Sequence, residues 1–219
     1  MSLKLSILGV SVGRPAPLGD WQGEAIVSGI RKAPVAAREI AVRGTNLDGD
    51  GQADLSVHGG PDKAIYCYPA DHADWWIGKG LTYRAGFMGE NLTLSGVDEA
   101  EIRIGDRFEW GSVLVEVSEP RGPCFKLGLL TGREDAPALM TVSGYCGWYL
   151  RVLRDGIAPV SGALIRVATD AAAPTVREAF LAKTRSDVPL DRVRAIAAYP
   201  ALAESWRGSL MRAVERRGG

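Results

Sequence analysis

The chain has 219 residues, and 26 Lys and Arg balance 26 Asp and Glu to give zero formal charge. With charged residues at an ordinary 24%, the composition excludes the electrostatic footprint of a polymeric nucleic-acid binder or of a protein that rests on an anionic membrane. A chain of this length buries a substantial core without covalent staples.

No apolar run approaches the roughly 20 residues of a membrane helix. The first ten residues are apolar only over a strand's length and show no secretory h-region or cleavage site. A cytoplasmic protein is therefore expected. Cys67, Cys124 and Cys146 are odd in number and irregular in spacing, which suits neither a disulfide framework nor a closed zinc site. His58 and His72 are the only histidines, too few for a multi-histidine metal centre.

Taken in chain order, short segments of alternating apolar and polar residues predict strands at 5–10, 25–30, 40–42, 92–94, 107–110, 113–117 and 164–167. Gly- and Pro-rich turns between them indicate a mainly β protein with some α, a barrel or a sandwich. A helix is predicted over 69–77, opening on Pro69 and closing at Gly78, and a shorter turn over 125–130. Residues 144–153 are aromatic and strand-compatible. Residues 168–174 read as a linker, and three short helices follow. Thr175 and Glu178 have capping-box spacing for the first, to about Lys183; Pro189 opens the second; and Pro200 opens the third, with Leu202, Trp206, Leu210 and Val214 on one stripe. The chain thus divides into a β domain at 1–168 and a helical subdomain at 169–219.

The residue richest in chemistry is Cys124. It follows the alternating run 113–118 and the turn Glu119-Pro-Arg-Gly-Pro123, so a thiol stands at a strand's end with Arg121 beside it. The alternative is a small buried hydrophobe, which is how Cys67 and Cys146 read. In residues 57–64, Gly59 and Gly60 allow backbone to approach a ligand, with His58, Asp62 and Lys63 around them. Arg31 and Lys32 form a cationic pair able to clamp one phosphate. Glu90 and Asn91 precede a strand, where the amide can meet a heterocycle edge. No G-x-G-x-x-G, P-loop or G-x-S-x-G pattern occurs, so intrinsic nucleotide cofactors and a serine hydrolase are unsupported, and no pyridoxal phosphate site is expected.

Five ordered stretches (29–34, 58–63, 89–93, 119–124 and 147–153) together resemble the MOSC domain, closely its YiiM-like subgroup. The resemblance spans nearly the whole chain and implies a MOSC-type β-barrel that binds the molybdenum cofactor, with a three-helix tail. Cys124 then corresponds to the metal's cysteine ligand, a soft donor suited to molybdenum. The resemblance also implies a cofactor phosphate at Arg31 and Lys32, with His58, Gly59, Gly60, Asn91 and Arg121 around the pterin or metal pocket. The implied reaction is reduction of N-hydroxylated compounds such as hydroxylaminopurine base analogues, oxygen passing from N-hydroxyl to molybdenum and His58 relaying protons. Electrons would come from an external flavoprotein or iron–sulfur donor, for which the tail is a candidate docking surface; a homodimer is a separate expectation. Two other readings stand beside it: a cofactor carrier or sulfur-handling protein using a Cys124 persulfide, and a Cys124–His58 hydrolase.

Overall fold

The structure, a computed structural model, describes residues 3–55 and 59–218. Its strands are β1 (Lys4–Val12), β2 (Ala16–Trp21), β3 (Glu24–Ser28), β4 (Ala33–Pro34), β5 (Glu39–Arg43), β6 (Asn46–Leu47), β7 (Ile65–Pro69), β8 (Leu92–Ser95), β9 (Arg107–Trp110), β10 (Val113–Pro120), β11 (Trp148–Arg154), β12 (Gly156–Pro159) and β13 (Gly162–Ala168). Its helices are α1 (Ala73–Gly78), α2 (Lys126–Thr131), α3 (Ala136–Ser143), α4 (Val176–Thr184), α5 (Leu190–Ala197) and α6 (Glu204–Gly218). Among the described residues no helix is long and apolar enough to cross a membrane.

Seven strands close into a barrel in the order β13-β9-β10-β11-β7-β8-β1, and β1 pairs back onto β13 with Leu5 opposite Leu164. The mainly β, α+β class read from the alternation is therefore correct, and of barrel and sandwich the barrel is what forms. In β1, Leu5 and Ile7 point inward with the period of two, and Val10 restores the inward face after a bulge opposite β8 between Ile7 and Gly9. All neighbouring pairs in the barrel are antiparallel except β7 and β8. A parallel pair cannot be joined by a tight hairpin. Here the crossover runs through a 3-10 turn (Ala70–His72) and α1.

β7 is absent from the predicted strands because all five of its residues are buried, which erases the alternating signal. Pro69 is its last residue, paired with Leu94, so the helix predicted to open there starts instead at Ala73. Strands β2, β4, β6 and β12 and helix α3 are likewise absent from the predicted elements, and β3 stops at Ser28 rather than residue 30.

The core is built on Trp76, Trp110, Trp148, Tyr68 and Phe108, all inaccessible to solvent. The tail belongs to it. Thr175 and Glu178 form the expected capping box, and α4 buries Val176, Ala179 and Phe180. On α6, Trp206, Leu210 and Val214 are buried, as is Leu202 just before it. One hydrophobic cluster includes these side chains and those of the barrel strands. The third helix begins at Glu204, four residues after Pro200, because the Ala203 N–H donates to Ser118 O of β10 (3.0 Å) and holds the preceding residues in a turn.

Candidate active site

β10 carries its pairing with β11 as far as Pro120, opposite Trp148, and the loop that follows presents Cys124 just before α2. What fixes that loop is Arg121. Its guanidinium turns inward, lies 4.8 Å from the Tyr66 ring centroid, and donates to Met88 O (2.9 Å) and Tyr66 Oη (3.3 Å). Burial opposes the Arg121 charge, but Tyr66, Tyr149 and Cys124 around it more than offset this and hold its pKa above the ordinary arginine value. Cys124 is half-buried and lines a cavity of about 810 Å³.

One side of this cavity is organised by Asp50. Its carboxylate accepts from Gly13 N (2.7 Å) and Asn91 Nδ2 (2.9 Å) and pairs with the Lys32 ammonium. Burial lowers the Lys32 pKa, with Asp50 acting against it. The loops around this ion pair meet backbone to backbone: a Cβ on Gly29 would overlap the carbonyl oxygen of Gly51 and lie 2.9 Å from that of Gly13. Only glycine fits there.

The opposite side is built from β10 and the tail. Glu119 is 2% exposed, accepts from Ser205 Oγ (2.9 Å) and lies 3.5 Å from Lys63 Nζ. Burial raises its pKa, against the pull of Lys63 and Ser205. Lys183 sits over the Trp206 indole, 4.0 Å from the centroid, and Ser209 and Arg212 continue the wall along α6.

Of the residues singled out in the sequence, Cys124, Lys32, Arg121 and Asn91 line this one cavity. Arg31 does not: it is exposed, and its Nη2 donates to Leu18 O (3.1 Å), so the adjacent cations point apart. Asn91 is buried and its amide is engaged by Tyr66 N, Ser11 O and Asp50, which makes it a latch between strands. Gly59 and Gly60 lead into the 3-10 turn Pro61–Lys63, with Gly60 at φ 94°, and neither lines the cavity. Asp62 faces away, accepting from Arg151 Nε (2.8 Å), whereas Lys63 faces in. His58 lies outside the described residues. Glu90 accepts from Gly86 N, Met88 N and Thr93 Oγ1 and shapes the loop before β8. Cys67 and Cys146 are fully buried, and burial pushes both thiols up, as befits packing residues. His72 is buried against Glu99 (2.8 Å) and stacked on Tyr145.

Sequence reasoning missed Asp50, Lys183, Ser205 and Arg212. Asp50 reaches Gly13 and Asn91 across 37 and 41 residues, a closure no local pattern announces. The other three lie in helices whose apolar stripe signals only the face turned to the core.

Fold and cavity thus define a closed-barrel α+β protein that presents one thiol to a cavity in which cations outnumber carboxylates. The chain belongs to the MOSC domain family, whose model matches residues 54–169. It is 36% identical to YflK of Bacillus subtilis (strain 168) over 97% of this chain and 96% of that one. It is 31% identical to YiiM of Escherichia coli (strain K12) over 80% of this chain and 79% of that protein. The crystal structure of YiiM from Geobacillus stearothermophilus superposes with a TM-score of 0.80 at 30% identity, covering 96% of this chain and 99% of that one.

MOSC domains as a family are associated with the molybdenum cofactor. The donor set here fits such a group. Among the described residues no cluster of three or more His, Cys, Asp and Glu side chains could hold a metal unaided. A metal that brings dithiolene sulfur with it needs only one soft protein ligand, and Cys124 is the thiol that lines the cavity.

Proposed function

We propose that the chain is a molybdenum-cofactor-dependent reductase of N-hydroxylated compounds, hydroxylaminopurine bases among them, working with an external flavoprotein or iron–sulfur electron donor. The observation that carries this is Cys124, a soft ligand at the end of β10, lining a large cavity whose cations outnumber its carboxylates. A Gibberella moniliformis protein named a reductase is 38% identical over 51% of this chain and 21% of its own length, which favours redox chemistry for this domain.

When bound, the cofactor supplies two-electron oxygen-atom transfer. Cys124 would hold its metal, and Lys32, kept in place by Asp50, would face its phosphate. Arg121 fixes the loop that presents the thiol. Reduction of an N-hydroxyl to an amine consumes two electrons and two protons and releases water. Burial raises the Glu119 pKa against the pull of Lys63, and its Oε1, on the Lys63 side, would protonate the departing oxygen.

The test is molybdenum and pterin content of wild type and Cys124→Ser, purified from a host that makes the cofactor, followed by dye-driven reduction of 6-hydroxylaminopurine. Near-stoichiometric metal in the wild type, lost with turnover in the variant, is expected. Neither metal nor pterin in the wild type, with one added sulfur on Cys124 by mass spectrometry, would replace this reading with a sulfur carrier.

A further inference from the structure

The cavity wall nearest the tail gathers positive charge. Lys183 of α4, Arg212 of α6 and Lys63 line it, with Glu119 and Glu204 as carboxylates beside them. Counted over the whole lining, Lys32, Lys63, Arg121, Lys126, Lys183 and Arg212 face only Asp50, Glu119 and Glu204. Desolvation lowers the Lys183 pKa, Glu119 acts against this, and both Lys63 and Arg212 depress it further, so the three cations lie within electrostatic reach of one another. Clustered like charges repel, and an anion between them relieves the repulsion.

Lys63 is half-buried, while Lys183 and Arg212 are exposed at the cavity's mouth, and it is their placement around the Cys124 loop that gathers them into one site. The indole of Trp206 holds the Lys183 ammonium at 4.0 Å. A Cβ at Gly122 would stand 3.9 Å from that ammonium and 3.7 Å from the indole, so Lys183 lies directly over the loop that carries Cys124 two residues later. Ser205 and Ser209, one helical turn apart, also line the cavity, and Arg212 Nη2 donates to Ser209 Oγ (3.2 Å). Ammonium and guanidinium donors on adjoining elements suit the several oxygens of a phosphate.

We infer that Lys63, Lys183 and Arg212 form an anion subsite that takes the phosphate of a nucleotide, so that N-hydroxylated nucleotides are substrates beside the free bases and bind more tightly than they do. The N-hydroxylated half of this rests on the function proposed above; the phosphate half rests on the cations alone. A free purine base carries no charge to match this wall.

Calorimetric titration of the full chain with adenosine monophosphate and with adenosine tests it without any turnover. The monophosphate should bind about tenfold more tightly or better, the scale of one or two charge-assisted hydrogen bonds, and this preference should weaken with salt. In Lys183→Gln/Arg212→Gln the preference should vanish. Equal affinity of the wild type for both ligands, or a preference that survives the double replacement, overturns the subsite. The cofactor's own phosphate is the other source of the same chemistry. If the wild type shows no preference while the double variant loses molybdenum and pterin, the anion is the cofactor's and the nucleotide assignment falls. Because the titration reads binding, it stands whether or not hydroxylaminopurine reduction is found.

Discussion

Replacing Asp50 with alanine tests the logic of the cavity floor. The Lys32 and Asp50 side chains are 7% and 1% exposed, so Asp50→Ala strands a buried ammonium. Breaking a buried pair from one side costs about 3–5 kcal/mol. Gly13 N and Asn91 Nδ2 lose their acceptor as well; a hydrogen bond to a charged group is worth about 1.5–3 kcal/mol, but within one network these losses do not simply add. A destabilisation of about 4 kcal/mol is expected in urea denaturation followed by tryptophan fluorescence. Lys32→Met added to Asp50→Ala should recover part of that loss, since no buried charge is then left alone. The pH dependence supplies a second signature. Burial lowers the Lys32 pKa and Asp50 raises it back; without Asp50 it falls further. Between that lowered value and the ordinary lysine value near 10.4, the folded state binds fewer protons than the unfolded, so stability rises with pH. The variant should therefore gain stability over a wider alkaline window, opening at lower pH, than the wild type. A single-variant cost below about 1 kcal/mol, or a double variant that costs the sum of the singles, would refute the reasoning.

Gly29→Ala should destabilise by about 2–3 kcal/mol, the scale of overpacking a site whose neighbours are backbone, because its Cβ meets Gly51 O and Gly13 O; a thermal melt unchanged from wild type would show that these loops part freely. Glu90 is fully buried and burial raises its pKa, against its hydrogen bonds from Thr93, Gly86 and Met88. The folded state therefore holds that proton to higher pH than the unfolded chain, and stability falls as pH rises from about the ordinary glutamate value near 4.3 through the raised folded value. Glu90→Gln should flatten that decline in denaturation curves taken at successive pH values, and an undiminished slope would assign it to another group.

How much the sequence discloses depends on how local the determining physics is. β9 and β10 follow from simple alternation, and α4 from a capping box that four residues define. Cys124 is legible because a strand, two prolines and a glycine place it at a sheet's end. β7 is illegible for the opposite reason: burial on both faces leaves no period to read. Arg31 and Lys32 look like a clamp only when sequence neighbours are assumed to share a face, and outside a helix adjacent side chains commonly diverge. Asp50 and the tail cations acquire their places only when segments far apart in the chain meet. The tail stripe ending in Trp206 was read as core, which it is; that the same helix also supplies a cavity wall depends on its other face.

The closing pair of the barrel joins β1 to β13, and the cavity takes its lining from residues as far apart as Ser28 and Arg212. During synthesis from the N-terminus, therefore, no folding unit short of nearly the whole chain contains the complete pocket. Its ligands can find a finished binding surface only after translation has delivered α6. By the same token, a nick or a premature stop before residue 206 would remove the indole that seats Lys183 along with part of the core, so truncated chains would lose stability and binding together rather than persist as stable, empty decoys.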